Sequence, residues 1–154
     1  LLRVSGELAE REGSKRIKLK NMDHANEKIE KDKILDVIST EPKQFQFVLA
    51  SIIQLYENKD KRSQKTLSLE ERGEPIFTGD VYHLYQEICK KNNCDVLTQR
   101  RVSDIIQEFD MLGIINVRVI SKGRGGRMRE IRLAISNNIV GKAKKIIQNS
   151  IDYY

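Results

Sequence analysis

Thr98-Gln99-Arg100-Arg101-Val102-Ser103-Asp104-Ile105-Ile106-Gln107-Glu108-Phe109-Asp110-Met111-Leu112-Gly113 is the stretch whose reading decides the fold. Val102, Ile105, Ile106, Phe109 and Leu112 recur at helical spacing and make one apolar stripe. Arg100, Ser103, Asp104 and Gln107 lie opposite it, all polar and all able to hydrogen-bond. Past Gly113 the period drops to two, with Ile115, Val117 and Val119 alternating against Asn116, Arg118 and Ile120 as far as Ser121. A basic glycine-rich turn follows, Lys122-Gly123-Arg124-Gly125-Gly126-Arg127-Met128-Arg129, and then a second short strand from Glu130 to Ile135. A helix that feeds directly into a hairpin with a cationic tip is the plan of a winged helix-turn-helix. The expected fold is therefore mainly α with a small antiparallel β-hairpin, and its natural ligand is duplex DNA.

Upstream, Thr40-Glu41-Pro42 is the expected domain boundary, because proline suits the start of a new helix and rejects continuation of an old one. A helix over 43–58 follows, with Phe45, Val48, Leu49, Ile52, Ile53 and Tyr56 inward. Residues 57–75 are charged and turn-rich and hold one short apolar element, Thr66-Leu67-Ser68-Leu69. Thr78-Gly79-Asp80 is expected to cap the next helix, in which Val81, Tyr82, Leu84, Tyr85 and Ile88 pack inward until Asn92-Asn93 ends it. The last helix spans about 138–151. Ahead of the boundary, Leu1 to Arg11 reads as the interior of a helix with no capping residue and no initiator methionine, which suggests the C-terminal fragment of a longer protein. Gly13-Ser14 breaks that helix, and a second is expected over 21–39 with Asn21 as its N-cap and Asp23 in its first turn. The expected organisation is thus 1–39 as one unit and 40–154 as the DNA-binding domain.

Lys and Arg number 28 against 22 Asp and Glu, a formal charge of +6. Excess positive charge attracts polyanions without choosing among them. The sequence contains no apolar run of the roughly 18 residues that a membrane span needs. No membrane partner is expected, and a cytoplasmic, nucleoid-associated location is. The two cysteines, Cys89 and Cys94, form no disulfide framework. With only His83 nearby they fall short of the about four ligands of a structural zinc site, so they read as free thiols and no metal ligand is assigned. Asp23, Glu27, Glu30 and Asp32 read as a solvated helix face, and no catalytic residue is expected.

The strings Leu97 to Asp104, Asp110 to Ile115 and Ser121 to Arg127 resemble the C-terminal winged helix of the archaeal origin-recognition initiators, relatives of the eukaryotic origin recognition complex and cell-division-control helicase loader. Leu1 to Ala9 resembles the closing helices of that family's AAA+ lid subdomain, so residues 1–39 are expected to be a lid remnant. The resemblance implies DNA binding at replication origins, with the replicative helicase and sister initiators as further partners. It also implies ATP or ADP with Mg for the parent protein. No GxxxxGK[ST] phosphate loop occurs in this sequence, so no nucleotide cofactor and no enzyme activity is assigned to these residues.

The mechanism expected of the residues is geometric. Thr98 caps the helix by accepting from a backbone N–H two or three residues on. The N-terminal end of such a helix enters the major groove. Gln99, Arg100, Ser103 and Gln107 then face base edges or phosphates, with Arg100 suited to guanine and the glutamines to adenine. Arg101 is better placed for phosphate. In the wing, Lys122, Arg124, Arg127 and Arg129 supply charge, while Gly123, Gly125 and Gly126 let the backbone approach closely. Arginines at such a tip fit the narrow minor groove of A·T-rich DNA. Two other readings use the same fold: a transcriptional regulator, and a protein-interaction winged helix that docks a helicase.

Overall fold

The computed structural model describes residues 1–63, 75–121, 123 and 126–151; the apolar element at Thr66 to Leu69, and Lys122, Arg124 and Gly125 of the turn, lie outside them. The chain divides into two compact units, Leu1–Ser39 and Thr40–Tyr154.

The first unit holds helices α1 (Leu2–Arg11) and α2 (Leu19–Thr40). Gly13, at φ 67°, ends α1. The Gly13 N–H donates to Glu10 O at 3.0 Å and the Ser14 N–H to Ala9 O at 2.9 Å, the paired bonds of a Schellman turn. Asn21 is not an N-cap as expected, because α2 already starts at Leu19. It lies inside the first turn, fully buried, and its Oδ1 reaches back to accept the Lys18 N–H at 2.9 Å. Its Nδ2 donates to Glu12 Oε2 at 3.0 Å. A side chain reaching back to the capping residue's N–H does what the third residue of a capping box does, with Asn standing in for Glu. With that start, Asp23 falls outside the first turn, which holds no acidic residue.

The second unit runs α3 (Lys43–Ser63), β1 (Ile76–Phe77), α4 (Thr78–Lys91), α5 (Gln99–Met111), β2 (Ile115–Ser121), β3 (Arg127–Leu133) and α6 (Asn137–Ile151). Pro42 begins α3 as the sequence suggests, its carbonyl accepting from the Phe45 and Gln46 N–H groups. The apolar stripe of α3 carries Val48, Leu49, Ile52 and Ile53 into the core, but it is Phe47 and not Tyr56 that is buried with them. Phe45 meets Phe109 of α5 edge to face, ring centroids 6.0 Å apart. Such pairs add about 0.5–1.5 kcal/mol beyond area burial. The core of α5 itself, Val102, Ile105, Ile106 and Phe109, is as expected; Leu112 is not part of it, since it follows the helix and is 42 % exposed.

The sheet has three antiparallel strands in the order β1-β3-β2, so the hairpin gains a strand that periodicity does not reveal. Two residues are too few to show a period; Ile76 pairs with Ile131 and Phe77 with Glu130. Strand β3 starts at Arg127, three residues ahead of the expected Glu130, so Arg127 and Arg129 are strand residues and not turn residues. Thr78 is likewise the first residue of α4 and not its cap. Asp80 does the capping, its Oδ2 accepting the Phe77 N–H at 3.3 Å.

Helices α4 and α5 both end in the same Schellman geometry as α1. At α4 the left-handed residue is Asn93, φ 50°, with Cys94 N–H donating to Cys89 O at 3.0 Å. At α5 it is Gly113, φ 72°, with Ile114 N–H donating to Phe109 O at 3.0 Å. A Cβ added at Gly113 would meet no heavy atom within 4 Å, so a substitution there acts through backbone conformation alone. Gly113→Ala should lower stability by about 1–2 kcal/mol. Gly79→Ala, in an equally open place on α4 but without positive φ, should instead be neutral or stabilising by up to about 1 kcal/mol. Urea denaturation of the two variants checks this, and equal effects would contradict it.

Candidate nucleic-acid interface

Helix α5 stands with its apolar stripe down and its polar face out. Thr98, in extended conformation (φ −65°, ψ 153°), caps it: Thr98 Oγ1 accepts the Arg101 N–H at 3.3 Å, and Thr98 O accepts Val102 N–H at 3.0 Å. Gln99, Arg100, Arg101, Asp104 and Gln107 are exposed, and Ser103 is half-buried. Among the described residues neither Arg100 nor Arg101 forms an ion pair, so both guanidinium groups face solvent uncompensated. Arg and Gln are the side chains whose paired donors and acceptors match guanine and adenine edges.

The register of the hairpin sets where the wing cations point. Val117 pairs with Ile131, Val119 with Arg129 and Ser121 with Arg127. Partners directly opposite share a sheet face, and faces alternate along each strand. Ile115, Val117, Val119, Ile131, Arg129 and Arg127 therefore share one face. Its root is core, with Ile115 and Ile131 fully buried. Further out the face leaves the core: Val119 is 58 % exposed, against the expectation that it alternates inward, because it lines an open groove beside α5 and is not packed under it. Arg127 and Arg129 are exposed there. Ile106, Gln107 and Asp110 of α5 line a groove of about 180 Å³ with Val117, Val119 and Arg129 of the sheet. The predicted helix residue Gln107 and the predicted wing residue Arg129 thus border one groove. Gly123 (φ 59°) and Gly126 (φ 84°) adopt the left-handed backbone expected of the turn, and Gly126 N–H donates to Gly123 O at 3.3 Å. Lys122, Arg124 and Gly125 lie outside the described residues.

The family model described as "CDC6, C terminal winged helix domain" matches residues 36–143. The chain belongs to the archaeal ORC1/Cdc6 family of replication initiators. The "ORC1-type DNA replication protein" of Pyrococcus furiosus is 47 % identical over 137 residues, covering 89 % of this chain and 30 % of that protein. The "ORC1-type DNA replication protein 1" of Methanosarcina mazei is 44 % identical over 135 residues, covering 88 % and 30 %. The solved structure of the Aeropyrum pernix ORC1 protein in complex with DNA superposes with a TM-score of 0.77 at 35 % identity, covering 99 % of this chain and 36 % of that one. This chain therefore spans about a third of the length of its ORC1-type relatives. Its fold between α3 and α6 is that family's winged helix.

Two polar contacts in the ORC1/Cdc6 winged helix escape sequence reading. Asp110 Oδ1 accepts the Val117 N–H at 2.9 Å, tying α5 to the outer edge of β2. Glu130 is 4 % exposed, and Arg132 Nε donates to its Oε1 at 2.7 Å. Each looks like an ordinary surface charge in the string; the second could have been suspected from the spacing of two residues, which puts both on one strand face. Among the described residues, no group of three or more His, Cys, Asp or Glu is placed to hold a metal. Cys89 is buried and Cys94 half-buried, both as free thiols. No helix of the described residues is long and apolar enough to cross a membrane.

A hydrogen bond to a charged acceptor contributes about 1.5–3 kcal/mol, so Asp110→Ala should destabilise by roughly that amount. Asp110→Asn keeps the acceptor oxygen and should recover about half. Thermal unfolding of both variants checks it; a loss as large in the Asn variant would mean that carboxylate charge, and not the bond to β2, matters.

Proposed function

We propose that this chain is the origin-binding module of its initiator: α5 lies in the major groove and the β2–β3 wing reaches the adjacent minor groove. One observation carries the reading: Gln107 of α5 and Arg129 of the wing, both exposed, border one groove, with Gln99, Arg100 and Arg101 exposed on the same helix and Arg127 exposed on the same sheet face. A helix alone offers cations in one line. A helix and a wing offer them at two depths, as a duplex presents its grooves. The relative from Aeropyrum pernix, solved in complex with DNA, supports the same ligand.

Arg100 is assigned to a guanine edge and Gln99 or Gln107 to adenine, which makes them readers of sequence. Arg101, Arg127 and Arg129, with Lys122 and Arg124, are assigned to phosphates or the minor-groove floor, where they add affinity without reading sequence. Thr98 and Ser103 fix the start of the helix and its nearest backbone contact; Gly123, Gly125 and Gly126 keep the tip slim. These residues bind and do no chemistry. The sequence has no phosphate-binding loop, so ATP or ADP with Mg is assigned to the rest of the parent protein, and no step here runs through it. The replicative helicase and sister initiators are assigned as partners of the whole protein, with the nucleoid as its location.

The expected behaviour is quantitative. Four phosphate contacts give a slope of log K against log salt of about −3.6, so affinity should fall about 150-fold between 50 and 200 mM salt. Arg124→Ala with Arg127→Ala should weaken binding to every duplex alike and flatten the slope by about 1.8. Arg100→Ala should instead cost about 1–3 kcal/mol on the preferred duplex only. Fluorescence anisotropy on a labelled A·T-rich duplex and a scrambled one, across a salt series, separates these effects. Absence of binding at low salt would favour a protein-docking winged helix instead.

A further inference from the structure

Between α4 and α5 the backbone of Asp95 to Leu97 belongs to no helix or strand, yet three side chains from two helices hold it. Gln44, in the first turn of α3, donates from Nε2 to Asp95 O at 2.9 Å. The Leu97 N–H donates to the Tyr85 hydroxyl at 3.1 Å. Leu97 O accepts from the Tyr82 hydroxyl at 3.2 Å. Both polar groups of one linker residue are therefore satisfied by tyrosines three residues apart on α4. Their rings stack at 6.2 Å with an interplanar angle of 28°. The Tyr85 hydroxyl in turn donates to Gln44 Oε1, which closes the set into one network. The thiol of Cys89, one turn along α4 from Tyr85, approaches that same oxygen at 3.9 Å.

Tyr85 is fully buried. Burial raises its phenol well above the ordinary tyrosine value, so it stays a protonated donor at any physiological pH. An apolar core would accept Phe at this position at no cost in packing. A hydroxyl kept there, with its donor and acceptor capacity both used, points to a demand on the backbone it touches. That backbone is the residue next to Thr98, the cap of α5. Leu97 and Thr98 together decide where the first turn of α5 begins, and Gln99, Arg100 and Arg101 are that first turn.

We propose that Gln44, Tyr82 and Tyr85 are positioning residues: by holding Asp95 and Leu97 they fix the N-terminal turn of α5, and so set the placement of Gln99 to Arg101 on duplex DNA. The last step rests on the function proposed above; the first does not. A side chain displaced by about an ångström keeps its attraction to phosphate but loses the geometry of a paired hydrogen bond to a base. Loosening the linker should therefore cost discrimination and spare non-specific affinity.

Tyr82→Phe and Tyr85→Phe are made in the full chain, the first as the safer variant because Tyr82 is only half-buried. Amide hydrogen exchange is followed residue by residue, with no DNA present. Exchange at Leu97, Arg101 and Val102 should rise at least tenfold, while Ile105, Ile106 and Phe109 of the same helix stay within about threefold. Unchanged exchange at the first group, or an equal rise along the whole of α5, would overturn the proposal, because the hydroxyls would then serve general stability. Anisotropy at a temperature where both variants are folded should next show the ratio of scrambled to preferred dissociation constants falling five- to tenfold, with the salt slope unchanged. A preserved ratio alongside loosened exchange would refute the positioning role. Wild-type protein that binds no duplex would instead remove the proposed function and leave the exchange result to decide whether the network holds α5.

Discussion

Gly113 sets the constraint that the rest of the winged helix obeys. Helix α5 has to bury one face and present the other, and it has to hand the chain to β2 without spending residues on a loop. A left-handed residue does this in a single step: at φ 72° the chain reverses, the last carbonyls of α5 are taken by Gly113 and Ile114, and Ile114 and Ile115 drop fully buried into the core. Strand β2 therefore starts at the foot of α5 and not at some distance from it. The Asp110 carboxylate can then reach Val117 N–H, and Ile106, Gln107 and Asp110 of the helix face Val117, Val119 and Arg129 of the hairpin across one small groove. Ordinary residues at the Gly113 position would pay for the turn in backbone strain, and helix and wing would lose their fixed spacing.

From that spacing comes the character of the site. The sheet face that is core at Ile115 and Ile131 becomes a cationic face at Arg129 and Arg127 without any change of side, and an open groove separates its outer part from α5. The polar face of α5 and the far end of the hairpin are thus two ends of one surface. Glu130 and Arg132 sit on the opposite sheet face, where Phe77 of β1 pairs beside Glu130. There Glu130 takes the Arg132 guanidinium, while exposed Arg118 lies across from it on the same face.

Much of this was legible in the string because the signals were periodic. The stripe of Val102, Ile105, Ile106 and Phe109, the change of period at Gly113, and the capping role of Thr98 all follow from local chemistry, and all reappear in the structure. What escaped depends on contacts between distant residues. Strand β1 is two residues long and exists only because β3 offers it an edge. Val119 alternates correctly but is exposed, since alternation tells which face a residue takes and not whether that face is covered there. Asn21 was expected as an N-cap but bonds back to the Lys18 N–H from inside the first turn, and the bond from the Val117 N–H to Asp110 joins two elements that local patterns do not connect. Tyr82 and Tyr85 were legible as inward residues; that their hydroxyls hold the linker ahead of α5 was not, because Gln44 lies 41 residues away from Tyr85 in the chain.

The most direct test of the account is an NMR titration of the isotope-labelled chain with a short A·T-rich duplex, read residue by residue. The largest shifts should fall at the amides of Thr98 to Asp104 and at Arg118 to Arg129, with α6 unmoved. Shifts centred on α6 or on residues 1–39, with α5 and the wing silent, would contradict it.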